Sequence, residues 1–168
     1  MTLTMHHATV STCSRALNSL AAILEKAGAY ADARKIDSAV LLNTRLTPDM
    51  LPLSAQIFIA NDIAGGGAAR LAGIAVPTFD GKDKSLSELI VATRATVAYL
   101  GTLQPQQFEG SEDRTVTWQT RTSSKSMQGM PYLLTHVLPN VYFHVTTAYD
   151  ILRQAGVEIG KQDYLGSN

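Results

Sequence analysis

Four stretches of this chain repeat apolar side chains at three- and four-residue steps, and a chain with four such stripes has to bury them against one another. The first runs Val10, Cys13, Leu17, Leu20 and Leu24. It predicts a helix over residues 4–28, with Lys26 in its last turn and Gly28 as its stop. The second runs Leu53, Ile57, Ala60, Ala64, Ala68 and Leu71, widened by Phe58 and Ile59. Its predicted start is Thr47 as N-cap, with Pro48 in the first turn and Asp49 complementing the helix dipole. Gly65, Gly66 and Gly67 interrupt it at a cost of about 1 kcal/mol each relative to alanine, so only packing keeps it helical, with neighbours close at the glycines. The third starts at Ser85, which forms a capping box with Glu88, continues through Leu86, Leu89, Ile90, Val97 and Leu100, and stops at Gly101. The fourth covers 131–154 through Leu134, Leu138, Val141, Val145, Ala148 and Leu152, and Gly156 ends it. Pro139 lies inside it and costs about 3 kcal/mol in a helix interior, which predicts a kink or a late start.

The connections are short except one. A brief helix is expected over 38–46. Between 102 and 130 the helical period is lost. From Thr115 to Arg121 the pattern alternates, with Val116, Trp118 and Thr120 on one side and Thr117 and Gln119 on the other. A structureless loop of that length is unusual in a small domain, so the segment is read as a β-hairpin lying over the bundle. Residues beyond Gly156 are expected to be extended. The whole predicts a mainly α chain, one domain of 168 residues, folded as an antiparallel four-helix bundle with a small β-hairpin between helices three and four. At this size folding buries roughly 70% of the unfolded surface, enough for a core without disulfides.

Lys plus Arg number 14 and Asp plus Glu number 14. This balance argues against nucleic acid as a partner, because phosphate binding needs an excess of cations. It also gives little colloidal repulsion, which favours self-association, and a homodimer is expected. The single cysteine, Cys13, sits on an apolar stripe and reads as inert packing in a reducing compartment. The first seventeen residues lack a cationic segment followed by an apolar one, so no secretory signal is expected. The most hydrophobic stretch, 50–60, is too short to span a bilayer. The reading is cytoplasmic, with no membrane partner.

His136, Asn140 and His144 lie at four-residue steps, one polar row beside the core stripe of the last helix. A buried polar row needs partners. The readings are a structural row, hydrogen-bonded or simply meeting solvent, and a ligand or metal site inside the bundle. His136 and His144 stand roughly 12 Å apart along the axis at 1.5 Å per residue, too far to share one ion, and Asn140 is a poor transition-metal ligand. Gln56 and Asp62 on the second helix are candidates to face this row, although surface exposure is the first expectation for both, and Asp49 is most simply a dipole-compensating residue. Trp118, the one tryptophan, either caps the bundle or lines a pocket mouth, and Tyr132, Tyr142 and Tyr149 suit an interface or a pocket wall. His6 and His7, adjacent in sequence, decorate the start of the first helix. No G-x-S-x-G elbow and no P-loop is present.

The segments LTPDMLPLSAQI (46–57), ARLAGIAVPTF (69–79), FEGSEDRTV (108–116) and LPNVYFHVTTAYDILRQAGVEIGKQDYLG (138–166) together resemble a bacterial and fungal family described as domain of unknown function nineteen-ninety-three. That family is placed with the DinB/YfiT-like four-helix bundles. The resemblance implies an often dimeric bundle. Many relatives hold a divalent metal through three histidines, one on the second helix and an H-x-x-x-H pair on the last, and some transfer low-molecular-weight thiols or hydrolyse amides. Here the pair falls on Asn140 and His144, and the second helix carries no histidine, so Gln56 or Asp49 would have to serve. Two of three imidazoles are missing. No cofactor is expected, and the weak metal candidates are Asp49, Gln56, Asn140 and His144. The expectation is a protein that binds a small molecule between its helices near Gln56, Trp118, His136, Asn140 and His144. The alternatives are a divergent metal-dependent enzyme and a homodimeric interaction protein.

Overall fold

The structure, a computed structural model, describes residues 3–78, 85–120 and 122–166. Helix α1 (Thr12–Arg34) follows a π-helical turn, His7–Ser11, and ends at Lys35, whose φ of 55° is left-handed. It overruns the expected stop at Gly28. Ala27 and Ala31 extend the buried stripe, and the alanines that follow outweigh one glycine. Gly28 lies beside α4, with the Leu86 side chain 3.7 Å from where a Cβ would lie, a distance at which an alanine would also fit. The short α2 (Ser38–Asn43) is capped by the Asp37 carboxylate, which accepts from the Ala39 amide.

Helix α3 (Leu53–Ala72) starts six residues later than Thr47. Pro52 explains this: it lacks an N–H and disfavours helical backbone at Leu51, so a helix begun at Thr47 would be broken at its first turn. Thr47 and Asp49 build a turn instead, with the Thr47 hydroxyl donating to the Asp49 carboxylate at 2.7 Å. The triglycine stretch stays helical and buried. A Cβ on Gly67 would lie 2.8 Å from a Val137 methyl, so glycine there sets how closely α3 meets the last helix. Helix α4 (Leu86–Thr102) carries the Ser85–Glu88 capping box and ends past Gly101, at Leu103.

The hairpin pairs β1 (Thr115–Gln119) with β2 (Ser124–Gln128) in antiparallel register, Val116 opposite Met127 and Trp118 opposite Lys125. Val116 and Trp118 are buried, as the alternation predicts; Arg121 lies outside the described residues. The turn α5 (Gly129–Pro131) leads into a second π-helical turn, Tyr132–Val137, and then into α6 (Leu138–Gln154). The π turn absorbs Pro139, which enters the first turn of α6, where a missing N–H costs least. It also rotates the preceding face by about one residue, near 100°. Leu133 and Val137 therefore enter the core in place of the expected Leu134 and Leu138; Leu134 is 53% exposed and Leu138 half-buried. The tail is not fully extended. It forms α7 (Lys161–Leu165), tied to α1 by Lys26–Asp163 at 2.6 Å and to its own start by the Gly160 amide donating to Asp163.

The four long helices form two antiparallel pairs. In one, His6 at the start of the chain donates to the Leu103 carbonyl after α4, and Gly28 lies beside Leu86. In the other, Gln56 meets His144 and Gly67 meets Val137. The pairs pack with α1 alongside α6, where the Tyr30 hydroxyl donates to the Ala155 carbonyl, and with α3 alongside α4, where the Asn61 amide donates to Thr93. Leu17, Leu20, Leu24, Leu53, Ile57, Leu100 and Ile151 fill the centre. Among the described residues no helix is long and apolar enough to cross a membrane.

Candidate functional site

Two faces of α6 carry the chemistry. On the face toward α3, His144 and Gln56 form a buried pair. Gln56 is 1% exposed and His144 9%, with His144 Nδ1 2.7 Å from Gln56 Oε1. The amide's other end faces the Leu51 carbonyl, 3.0 Å from Gln56 Nε2. A carbonyl only accepts, so the NH2 must point at Leu51 and the amide oxygen at His144. His144 therefore carries its proton on Nδ1 and donates it to Gln56, leaving the Nε2 lone pair with no hydrogen bond among the described residues. Burial pushes the His144 pKa below the usual histidine range, which keeps the ring neutral. The Phe143 ring stands edge-on to it at 5.3 Å.

The rest of the polar row does not join this pair. Asn140 turns back on its own helix, its amide donating to the His136 carbonyl at 2.6 Å. His136, half-buried, packs against both Trp118 and Tyr132 at ring distances of 4.7 and 5.3 Å, and those two rings meet each other at 4.8 Å. Burial lowers its pKa, and Lys125 and Arg70 lower it further. This three-ring cluster pins the hairpin to the bundle, so Trp118 holds the hairpin down. Asp49 is exposed and turned toward Thr47.

The metal implied by the wider fold family finds no matching donor set. Among the described residues no three His, Cys, Asp or Glu side chains are placed to hold an ion. Gln56 is spent on His144, Asn140 on its own helix, and His144 Nε2 is one imidazole nitrogen where that site needs three. Cys13 is buried, and its thiol is pushed up to about 12, so it stays protonated.

The face of α6 toward α1 is hollow. A cavity of about 720 Å³ opens between the start of the chain, α6 and α7. His7, Ser11 and Arg15 line one wall at four-residue steps, and Tyr142, Val145, Tyr164 and Leu165 line the other. The π-helical turn puts His7 and Ser11 on one face, their Nδ1 and hydroxyl 3.2 Å apart. Arg15 Nε donates to the Leu165 carbonyl at 3.0 Å, closing the wall onto α7. The Tyr164 hydroxyl accepts from Thr146 at 3.0 Å. Burial, followed by Cys13 and Tyr164, raises the Tyr142 pKa, so it remains a phenol. Of the residues singled out in the sequence, only Tyr142 and His7 line this cavity. The rest was not legible: its second wall is made by α7, which carries no helical pattern of its own.

The resembling segments meet in the fold. Segment 46–57 ends on Gln56, which holds His144 of segment 138–166. Arg114 of segment 108–116 donates to the Leu71 carbonyl at the end of α3, in segment 69–79, of which Phe79 lies outside the described residues.

The family described as "Domain of unknown function (DUF1993)" matches residues 5–165. The chain is also similar to the crystal structure of a DinB family member protein from Shewanella denitrificans, with a TM-score of 0.90 and 39% identity over 98% of this chain and 93% of that one. No curated protein matches.

Proposed function

Because this chain belongs to the family described as domain of unknown function (DUF1993) and shares the helical-bundle fold of a DinB family member, we propose that it binds a small molecule between its helices, in the cavity bounded by α1, α6 and α7. The single observation behind this reading is the cavity itself. Its volume, about 720 Å³, lies within the range of small-ligand sites, and its lining mixes apolar surface with a few convergent polar groups, the usual composition of such sites. The π-helical turn that contributes His7 and Ser11 adds support, since such turns recur at functional sites.

The test is a titration of the labelled protein with a set of small fragments, followed by amide chemical shifts. The expected result is saturable shifts at Ser11, Ala16, Tyr142 and Val145. Absence of saturable shifts there across the set would overturn the reading.

One observation favours a second reading. His144 is neutral, oriented by Gln56, and has a lone pair with no partner among the described residues. That suits it to accept a hydrogen bond from a ligand's hydroxyl or amide. Shifts clustering on Gln56, Phe143 and His144 in the same titration would move the site to this face.

A further inference from the structure

Helix α7 supplies Tyr164 and Leu165 to the cavity wall without burying a side chain of its own. Just before it, Val157 and Ile159 are buried, so the chain is anchored in the core as far as Ile159. Gly160 follows, and a Cβ there would meet nothing within 4 Å. Beyond that point α7 is tied to α1 and α6 by polar contacts at the surface. Lys26 meets Asp163 at 2.6 Å, with side chains 52% and 25% exposed. The Leu165 carbonyl accepts from Arg15 and the Tyr164 hydroxyl from Thr146, both exposed hydrogen bonds at 3.0 Å. The Tyr164 ring adds an edge contact with Tyr149 at 6.0 Å. Five residues are too few to hold a helix in water without packing. Exposed ion pairs contribute little, and segments that bury little are the ones that open locally. This holds whatever else Arg15 touches, because it depends on what α7 buries. Val145, in the same wall as Tyr164 and Leu165, is 1% exposed.

We propose that α7 is a latch on this cavity: it swings about Gly160, with Lys26–Asp163 as its catch, and so governs access to the space against Val145. The regulatory role rests on the cavity being the binding site. The motion does not, and it can be read without a ligand. The catch is an exposed ion pair, so salt screens it. A latch of this kind leaves the open form as a minor state, populated at roughly 0.1–10%.

The experiment places a thiol in the cavity with Val145→Cys in the full chain and follows its reaction with the neutral reagent 4,4′-dithiodipyridine. Cys13, 0% exposed, is the internal marker of global unfolding. The proposal expects the new thiol to react faster than Cys13, yet roughly 10- to 1,000-fold slower than a free cysteine, as the minor open state implies. Asp163→Asn keeps an acceptor for the Gly160 amide and removes the charge facing Lys26. It should speed the reaction about threefold, the change that losing an exposed ion pair brings. Added salt should speed the parent and leave the Asp163→Asn form unchanged. Amide exchange at Tyr164 and Gly166, compared with Ile151, makes the same comparison without the introduced cysteine: the α7 amides should exchange faster and quicken again in Asp163→Asn. A thiol that reacts only as fast as Cys13, or as fast as a free cysteine, overturns the latch. So does an Asp163→Asn form that changes neither the labelling nor the exchange; fragments that still bind the cavity would then leave the binding site standing. If labelling behaves as expected but no fragment shifts the cavity amides, the binding reading and the regulatory role fail together, and α7 is a moving wall without a ligand to admit.

Discussion

One helix, α6, presents two faces built from the same kinds of residue, yet one carries a close approach and a buried polar pair and the other lines a cavity. Toward α3, glycine at position 67 lets backbones approach until Val137 fills the space, and the one polar pair, Gln56 with His144, is closed by hydrogen bonds at both ends of the amide. Toward α1, Arg15 reaches across to the Leu165 carbonyl on α7, and a space of about 720 Å³ remains between these elements. Polar residues beside an apolar stripe therefore mark a satisfied structural contact on one face and a cavity wall on the other. The difference lies in what stands opposite: on α3 a glycine that admits the facing side chain, and on α1 a wall completed only by α7.

The comparison breaks most sharply at Gly67. Gly67→Val inserts a branched side chain into the 2.8 Å approach to Val137 and should cost about 3 kcal/mol, read as the urea midpoint at constant slope. A loss under about 1 kcal/mol would mean that this close approach yields. Next is His144→Ala, which leaves the Gln56 amide buried without its partner and opens a void; about 2–3 kcal/mol is expected. Pairing it with Gln56→Leu sharpens the result. The double variant should be less destabilised than the sum of the singles, because both then remove one interaction.

A pH series probes the same face. Burial depresses the folded pKa of both His144 and His136. On acidification the unfolded chain takes up these protons first, near the ordinary histidine value of 6.5, so it binds more protons than the fold. Stability is thus fully present above that value and declines as pH falls below it toward the depressed folded values. Urea midpoints at pH 7.5 and 5.5 should show the decline, and His144→Ala should flatten part of it. A midpoint that rises on acidification would contradict the neutral assignment of His144. The smallest effect belongs to the hollow face: Ser11→Leu should change stability by less than about 0.5 kcal/mol, as surface substitutions do, while closing the cavity.

Much of the fold was legible because its signals are local. The Ser85–Glu88 box, the alternation that buries Val116 and Trp118, and Gly156 after α6 each depend on a few neighbouring residues. Of the candidate site, the facing of Gln56 and His144 was legible only as the weaker alternative, because a glutamine's polarity favours the surface until a partner on another helix is known. Trp118 and His136 were singled out with good reason, but their rings meet between the hairpin and the last helix, an arrangement no single-segment pattern encodes. The metal-site residues implied by resemblance were legible as departures: Asn140 stands where a histidine would, and the fold spends it on its own helix.

By itself the amino-acid sequence determined that four amphipathic helices and a hairpin exist and, apart from the start of the last helix, which stripes they bury, because periodicity and caps act within a few turns. Only the tertiary structure decided where α1 ends and α3 begins, that a π turn swaps Leu134 for Leu133 in the core, and that α7 closes a cavity over α1. Those outcomes depend on which surfaces meet, and the energy of a close approach or a void belongs to a pair of elements rather than to either one alone.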